Sequence, residues 1–344
     1  MEDFFYITIR TIFFQVLSLI LMFTFVKTPD DYIIYAIISM ISANGANILN
    51  IFYRKKYCKI KFTKDMEFKK HIKPIIVLFI MLSAQTIFNS SDITMLGLMK
   101  GDLEVGLYST AVKVSNLICQ AFNSVLWVIM PQMTRYFTNS NYENINEMLK
   151  KVLGTMLVFA LPCVVGCMCL SEEIILIIAG KEYLGAVSAL RILLVSFVFT
   201  LLGEGFLGNM VLLPAKKESL YMKICCISTI LNLILNSIFI PIGGTVVAAV
   251  TTAISTLIML ILLIITKEKN IKLDYIYREA KDPSIGCIFI VIYCIFMKHI
   301  MDNLIILTIS SIIGSVILYF GIMILLKNKI CNEAFEWFRQ KIFK

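Results

Sequence analysis

Long apolar runs repeat along the whole chain and constrain its fold more than any other feature of the sequence. Each run spans about 20 residues, the length of a helix that crosses the hydrocarbon core of a bilayer. Transmembrane strands would instead give alternating segments of about ten residues, which the sequence lacks. Hydrophobic residues make up 59% of the 344-residue chain, and charged residues only 16%. The sequence therefore predicts an all-α, polytopic helical membrane protein with about ten transmembrane helices.

The predicted spans are separated by brief connections, of which the longest external one, 171–188, is too short to fold alone. The ninth span is the shortest of the set. The ten predicted spans are Phe5–Val26, Tyr32–Phe52, Pro74–Leu98, Tyr108–Met130, Val152–Leu170, Ala189–Leu213, Tyr221–Ile242, Val246–Thr266, Ser284–Met297 and Leu304–Leu326.

Basic residues are distributed unequally between the two sets of connections. One set, with the C-terminal tail, holds 25 of the 32 Lys and Arg residues, and the other holds four. Short cytoplasmic loops of membrane proteins are enriched in Lys and Arg, so both termini are predicted to be cytoplasmic. The net charge of +9 then reflects topology and attraction to anionic lipid head groups, and no nucleic-acid partner is predicted. The tail 329–344 has one apolar helical face and predicts a short amphipathic helix on the membrane.

The sequence offers little support for an enzyme, a metal site or a cofactor. Most of the ten cysteines lie within apolar runs, where cysteine behaves as a small apolar residue, and there are only two histidines. No zinc-site spacing, nucleophile motif or phosphate-binding glycine loop occurs. We therefore predict no catalysis, no metal, no cofactor and no disulfide.

Two opposite charges approach the connection between the third and fourth spans. Asp92 follows Asn89 in a polar run of the third span, and Lys113 lies inside the fourth span. Ionisable groups within spans are costly, at roughly 2.5–3.5 kcal/mol near the centre, and usually face a cavity or a partner. Two interpretations remain open here, a water-facing cavity stripe and a structural Asp92–Lys113 ion pair.

Glu204 is the deepest charge, near the middle of the sixth span and surrounded by glycines. It is either a cavity carboxylate that binds a proton, a cation or a sugar hydroxyl, or a protonated acid bonded to a neighbouring helix. Asn236 and Asn232 form a similar polar stripe in the seventh span, which either lines a sugar path or bonds helix to helix. Pro162 predicts a kink in the fifth span.

Arg191 and Arg10 lie near the ends of their spans. Long basic side chains in such positions commonly extend to the membrane interface. The alternative is that they attract an anionic head group or a phosphate, which suits the planar guanidinium group.

Short motifs along the chain resemble one family as an ensemble. The segment Asp92-x-x-Met95-Leu96-Gly97 and the segment Glu104-Val105-Gly106-Leu107-Tyr108 that follows it resemble polysaccharide flippases of the MATE-like MOP superfamily. These are the translocases of O-antigen and other repeat units. Further pieces are similar to the same family: Ser109-x-Ala111-x-Lys113, Leu126 to Pro131, Gly180-Lys181-Glu182-Tyr183, and Asn236 with Pro241, Gly243, Gly244, Ala248 and Ala249.

The resemblance implies two lobes of six helices around a central cavity. Residues 1–73 would be the last two helices of the N-terminal lobe and a basic cytoplasmic loop, residues 74–266 the C-terminal lobe, and residues 267–344 an extra helix pair with the amphipathic tail. The first lobe would be incomplete by about four helices. Cavity candidates for substrate binding are Asp92, Lys113, Arg191, Glu204, Arg10, Asn89 and Asn236.

The function implied is outward translocation of an undecaprenyl-pyrophosphate-linked oligosaccharide across the bacterial cell membrane. Its partners would be membrane lipids and the polysaccharide polymerase and glycosyltransferases of the same pathway. The alternatives are a cation-coupled multidrug-type antiporter of the same fold and an inactive truncated fragment. A membrane-bound polymerase or ligase is disfavoured because such enzymes carry a large external loop.

Overall fold

The computed structural model describes residues 4–28, 31–53, 68–333 and 336. These residues form helices and turns, with no strand among them. The helices are α1 (Phe4–Phe25), α2 (Tyr32–Tyr53), α3 (Phe68–Met99), α4 (Asp102–Thr138), α5 (Tyr142–Cys169), α6 (Ser171–Ile178), α7 (Ala186–Thr200), α8 (Glu218–Thr266), α9 (Ile276–Ile300) and α10 (Leu304–Leu325). A 3₁₀ turn, Lys181–Tyr183, precedes α7, and a π-helical segment, Leu201–Leu212, continues it.

Eight of the described helices are long and apolar enough to cross a membrane, and α2 contributes a shorter apolar stretch, Ile33–Gly45. The predicted all-α, multi-pass membrane fold is therefore confirmed. The ten predicted crossings correspond to these eight helices and α2. Helix α8 counts twice, because its two arms were predicted as separate spans. Most of the predicted basic loop, residues 54–67, and most of the amphipathic tail beyond residue 333 lie outside the described residues.

The chain divides into two compact units, Met1–Phe68 and Lys69–Lys344. In the first unit, α1 packs against α2 through Gly45, where a β-carbon would lie 2.3 Å from the Phe14 ring. The second unit holds α3 to α10 and the large core cluster, to which α4, α5, α7 and α8 contribute most of the buried side chains.

Helix α8 is an antiparallel hairpin rather than a rod. A straight helix of 49 residues would be about 74 Å long. Instead the Thr251 hydroxyl donates to the Asn236 side chain, and the Asn232 amide lies 3.5 Å from the Thr252 hydroxyl. The reversal occurs at Gly244, whose φ of 57° favours glycine. The two arms, 218–243 and 245–266, correspond to the two separately predicted spans, and each is long enough to cross a membrane.

The turn of this hairpin is fixed to the start of α4. The Glu104 carboxylate accepts from the Thr245 backbone N–H (2.6 Å) and from the Thr245 hydroxyl. It thus caps the second arm of α8, where N–H groups have no partner within the helix. A β-carbon at Gly244 would lie 2.6 Å from the same carboxylate. The turn between α3 and α4 also depends on a glycine, because Gly101 has a φ of 91°.

The opposite end of the unit is held by a polar cluster between the α7–α8, α8–α9 and α4–α5 connections. Glu268 accepts from Lys217 (2.8 Å) and from the Tyr142 hydroxyl (3.1 Å). Asn146 donates to the Asn270 carbonyl (2.9 Å) and accepts from the Lys272 backbone N–H (2.9 Å). The connections between consecutive helices therefore lie alternately at the two ends of the unit, as expected for helices that cross a membrane one after another.

Helices α9 and α10 pack on the side of the unit formed by α5 and α6. The Tyr319 hydroxyl donates to the Val158 carbonyl (2.6 Å), and Lys298 pairs with Glu173 at 2.7 Å. Helix α5 runs through Pro162 as one helix from Tyr142 to Cys169. Irregular helical backbone occurs at Gly244 and in the π segment after α7.

Candidate functional site

A cavity of about 340 Å³ lies between α3, α4, the α7 end and the second arm of α8. Although the surrounding helices are apolar, much of its lining is polar. Helix α3 contributes Asn89 and Asp92, the end of α7 contributes Thr200, and the π segment contributes Glu204. Helix α4 contributes a stripe at helical spacing, and α8 adds two hydroxyls: Tyr108, Ser115, Asn116, Gln120 and Asn123, with Thr252 and Thr256.

Asp92 is the centre of a buried hydrogen-bond network at one side of this cavity. Only 3% of the residue is exposed. Its Oδ2 accepts from the Tyr108 hydroxyl (2.5 Å) and from the Thr252 hydroxyl (2.5 Å). Its Oδ1 accepts from Asn236 Nδ2 (2.6 Å). Three helical segments that are distant in sequence therefore meet at one carboxylate.

A second layer of amide groups supports the first. Asn236 Nδ2 also donates to Asn232 Oδ1 (3.1 Å), and the Thr251 hydroxyl donates to Asn236 Oδ1. Both asparagines are fully buried between the two arms of α8. The result is a cluster of carboxylate, amide and hydroxyl oxygens, which are the ligand types that a small hard cation prefers. No group of three His, Cys, Asp or Glu side chains that could hold a metal ion occurs among the described residues.

Glu204 lies at another side of the same cavity and has fewer partners. Within the described part of the chain, its one hydrogen-bond donor is Gln85 Nε2, at 3.2 Å. The same amide also lies 3.3 Å from the Tyr221 hydroxyl. A small neighbouring cavity of about 40 Å³ is lined by Gln85, Glu204 and Thr229 among others. Glu204 therefore lines two adjoining spaces.

The backbone around Glu204 is unusual because it lies in the π segment. Three glycines there allow neighbouring helices to approach closely. A β-carbon at Gly208 would lie 2.5 Å from the Tyr221 ring, and one at Gly205 would lie 3.0 Å from Leu126. Single π turns within α-helices often occur at functional sites.

The predicted site residues do not all converge. Asn89, Asp92 and Glu204 line one cavity, and Asn236 lies directly behind Asp92. Lys113 is exposed on α4 and does not line the cavity. The Asp92–Lys113 ion pair, one of the two interpretations of this region, is absent from the described residues, since Asp92 bonds to Tyr108, Thr252 and Asn236 instead.

Of the two arginines, Arg191 belongs to the same unit as the cavity but does not line it. Arg191 is at the start of α7, and its Nε donates to the Ser171 hydroxyl (2.7 Å) at the α5–α6 junction. Arg10 belongs to α1 in the first unit, with 8% of its surface exposed.

Several cavity residues were not predicted from the sequence, although the spacing of polar residues along α4 indicates them. Tyr108, Ser115, Asn116, Gln120 and Asn123 recur at spacings of three, four and seven residues on α4. Such a polar stripe on an apolar span indicates a cavity-facing side. Thr252 had no comparable signal, because only the reversal at Gly244 brings it to Asp92.

Known proteins resemble this chain in sequence and in fold. Residues 1–137 match the family model described as "Polysaccharide biosynthesis protein". The probable low-salt glycan biosynthesis flippase Agl15 of Haloferax volcanii is 26% identical over 153 residues. That alignment covers 43% of this chain and 31% of Agl15, so the chain matches about a third of the length of this curated relative.

The solved structures decide the fold. The lipid II flippase MurJ in an inward closed conformation superimposes with a TM-score of 0.69 and 18% identity, covering 96% of this chain and 69% of MurJ. The chain therefore shares the helical fold of this flippase. An outward-facing multidrug resistance MATE transporter of the MOP superfamily gives a TM-score of 0.51 and 16% identity, covering 76% of this chain and 66% of the transporter. The predicted resemblance to MATE-like polysaccharide flippases is thus confirmed.

Proposed function

We propose that this protein translocates a lipid-linked saccharide from the cytoplasmic to the external leaflet of its membrane. The observation that carries the proposal is the polar cavity between α3, α4, α7 and α8, enclosed by helices that are otherwise apolar. Saccharides present many hydroxyl groups, which need donors and acceptors in place of water. The resemblance to a polysaccharide biosynthesis family and to a glycan flippase supports the same conclusion.

The cavity residues provide both kinds of hydrogen-bonding group. Asn89, Asn116 and Gln120 each offer a donor and an acceptor, whereas Glu204 offers acceptors when it is ionised. The volume of about 340 Å³ falls within the usual range of small-molecule pockets, about 300–1,000 Å³. It suits part of a sugar head group rather than a lipid chain.

Lys113 is proposed to contact the phosphate groups of the lipid carrier. It precedes Asn116 by three residues and Gln120 by seven, so the three side chains share one stripe of α4. Because Asn116 and Gln120 line the cavity, a substrate there would bring its phosphates near Lys113. Arg191 and Arg10 are further candidates for anionic groups, and Arg191 would have to release Ser171 to reach one.

Both termini would be cytoplasmic because of the distribution of basic residues. The protein would act without chemical catalysis, beside the polymerase and glycosyltransferases that use the same carrier. Undecaprenyl-pyrophosphate is the proposed carrier, and a bacterial cell membrane the proposed location.

A cation-coupled antiporter has one observation in its favour, because two carboxyl groups, Asp92 and Glu204, line the same cavity. The amide and hydroxyl lining favours the saccharide, since an apolar drug would gain little from it. The flippase would need the sugar on its lipid substrate, whereas the antiporter would not.

The test is translocation in liposomes. The purified protein is reconstituted with a fluorescent polyprenyl-pyrophosphate saccharide, and external label is quenched to measure the fraction transferred. We expect transfer of the saccharide lipid and none of the same carrier without sugar. Equal transfer of both lipids, or transfer of a cationic dye alone, would contradict the proposal.

A further inference from the structure

Helices α4 and α5 enclose a second space, separate from the polar cavity. It has a volume of about 630 Å³ and lies between facing sides of the two helices. We name this space the α4–α5 groove. Its walls are Ala121, Phe122, Val125, Ile129, Gln132 and Tyr136 from α4, and Asn144, Glu147, Met148, Lys151, Val152, Thr155, Met156 and Phe159 from α5.

The groove is amphipathic along its length. Near the α4–α5 connection its lining is polar, with Gln132 and Tyr136 on one wall and Glu147 and Lys151 on the other. Towards the middle of the helices the lining is apolar. This order of polar end and apolar body matches a membrane lipid with its head group at the interface.

The charges at the polar end favour one class of head group. Glu147 and Lys151 are four residues apart on α5, at a spacing where such side chains usually pair. Within the described part of the chain neither has an ion-pair partner, and both are exposed. One negative and one positive group therefore remain available at the same end of the groove.

We propose that the α4–α5 groove binds one phospholipid with a zwitterionic head group that carries a primary ammonium, as in phosphatidylethanolamine. Lys151 would bind the phosphate and Glu147 the ammonium. The Tyr136 hydroxyl, which accepts from Gln132 Nε2 (3.0 Å), remains free to donate to the phosphate. An acyl chain would lie against Val125 and Ile129. A purely anionic lipid would be opposed by Glu147, so the pair selects against it.

This site differs from the proposed substrate site in position. Phe122 lies on the groove side of α4, with its ring 5.8 Å from that of Phe197, whereas Asn123 lies on the cavity side. A lipid in the groove would brace α4, the helix that carries the polar stripe, without entering the cavity. The proposal is therefore independent of what the cavity transports.

The experiment measures lipid binding to the delipidated protein in detergent. Native mass spectrometry counts bound phosphatidylethanolamine, and a melting-temperature titration gives its affinity. We expect one saturable phosphatidylethanolamine per chain, with phosphatidylglycerol at least about tenfold weaker. Equal affinity for the two lipids, or no saturable binding, overturns the proposal.

Matched variants locate the site. Lys151→Gln should weaken binding about tenfold, while Lys150→Gln, which changes a residue paired with Glu279 outside the groove, should leave it unchanged. Val125→Trp should fill the groove and abolish binding, whereas Val128→Trp should not, because Val128 is exposed but lies outside the groove. If both members of either pair behave alike in folded protein, the assignment is wrong.

Discussion

Two carboxyl groups line one cavity, and their surroundings are opposite in kind. Asp92 accepts three short hydrogen bonds, at 2.5, 2.5 and 2.6 Å, from α4 and both arms of α8. Glu204 receives one longer bond, at 3.2 Å, from Gln85. Asp92 is therefore part of the structure that joins the helices, while Glu204 retains acceptor capacity for a ligand.

From this difference we propose that the two carboxyl groups serve different purposes. A carboxylate with three donors is fixed in position, and its removal would leave buried donors without partners. A carboxylate with one donor, in a π segment, retains acceptors for a ligand, and we propose that role for Glu204. The following predictions order the acidic residues by the effect of substitution on the melting temperature.

Asp92→Ala should have the largest effect. It leaves the Tyr108, Thr252 and Asn236 donors unsatisfied, at about 1–3 kcal/mol for each buried group, so we expect a loss of about 3 kcal/mol or more. The melting temperature in detergent measures this loss. Ser90→Ala on the exposed side of α3 is the control. If both variants melt at the wild-type temperature, the network does not hold the helices together.

Glu104→Ala should have the next largest effect, because Glu104 caps the arm of α8 that presents Thr252 to Asp92. Loss of a helix cap with a charged acceptor should cost about 1–2 kcal/mol. Asp102→Ala, in the same first turn of α4, should cost less, since among the described residues only Glu104 bonds to Thr245. A larger effect at Asp102 would argue against Glu104 as the cap of this arm of α8.

Glu268 lies outside the spans, where it is partly exposed and paired with Lys217. Its hydrogen bond with Lys217 lowers its pKa, and Tyr142 contributes further. A lowered pKa in the folded state stabilises the protein above the ordinary glutamate pKa, about 4.3, and the contribution is lost as the pH falls through the lowered value.

Glu268→Gln should therefore cost about 0.5–1 kcal/mol at pH 7, as for a partly exposed ion pair. The difference from the wild type should vanish in acid. Melting temperatures between pH 7 and pH 3 test this, with Glu218→Gln as the control. A difference that grows as the pH falls would reverse the assigned sign.

Glu204→Gln should change stability least, by less than about 0.5 kcal/mol, because glutamine preserves the shape and still accepts from Gln85. Transport should nevertheless fall at least about tenfold, since a charge-assisted bond to the ligand is lost. Transfer in liposomes and melting temperature are measured on the same preparation. Loss of stability without loss of transport would make Glu204 a structural residue like Asp92.

The sequence predicted the helical membrane fold because hydropathy depends on local composition. The break between Ile242 and Val246 was also predictable, since Pro241, Gly243 and Gly244 favour a turn. Helix α6 was missed because its eight residues lie in a stretch too short for a span.

The site was only partly predictable. Asp92, Glu204 and Asn89 stood out as polar groups in apolar spans, and the structure places all three at one cavity. The Asp92–Lys113 ion-pair interpretation is wrong, because two opposite charges that are close in sequence need not lie on facing sides of their helices. Lys113 follows Tyr108 by five residues on α4, which turns it about 140° away from the side that meets Asp92.

The most direct test of the central claim is to map where the saccharide contacts the protein. A lipid-linked saccharide with a photoreactive group on the sugar is crosslinked to the reconstituted protein, and the adducts are identified by mass spectrometry. We predict adducts on the cavity-facing sides of α3, α4 and α7, near Asn89, Gln120 and Thr200. Adducts confined to α9 and α10, with none in the cavity, would contradict the account.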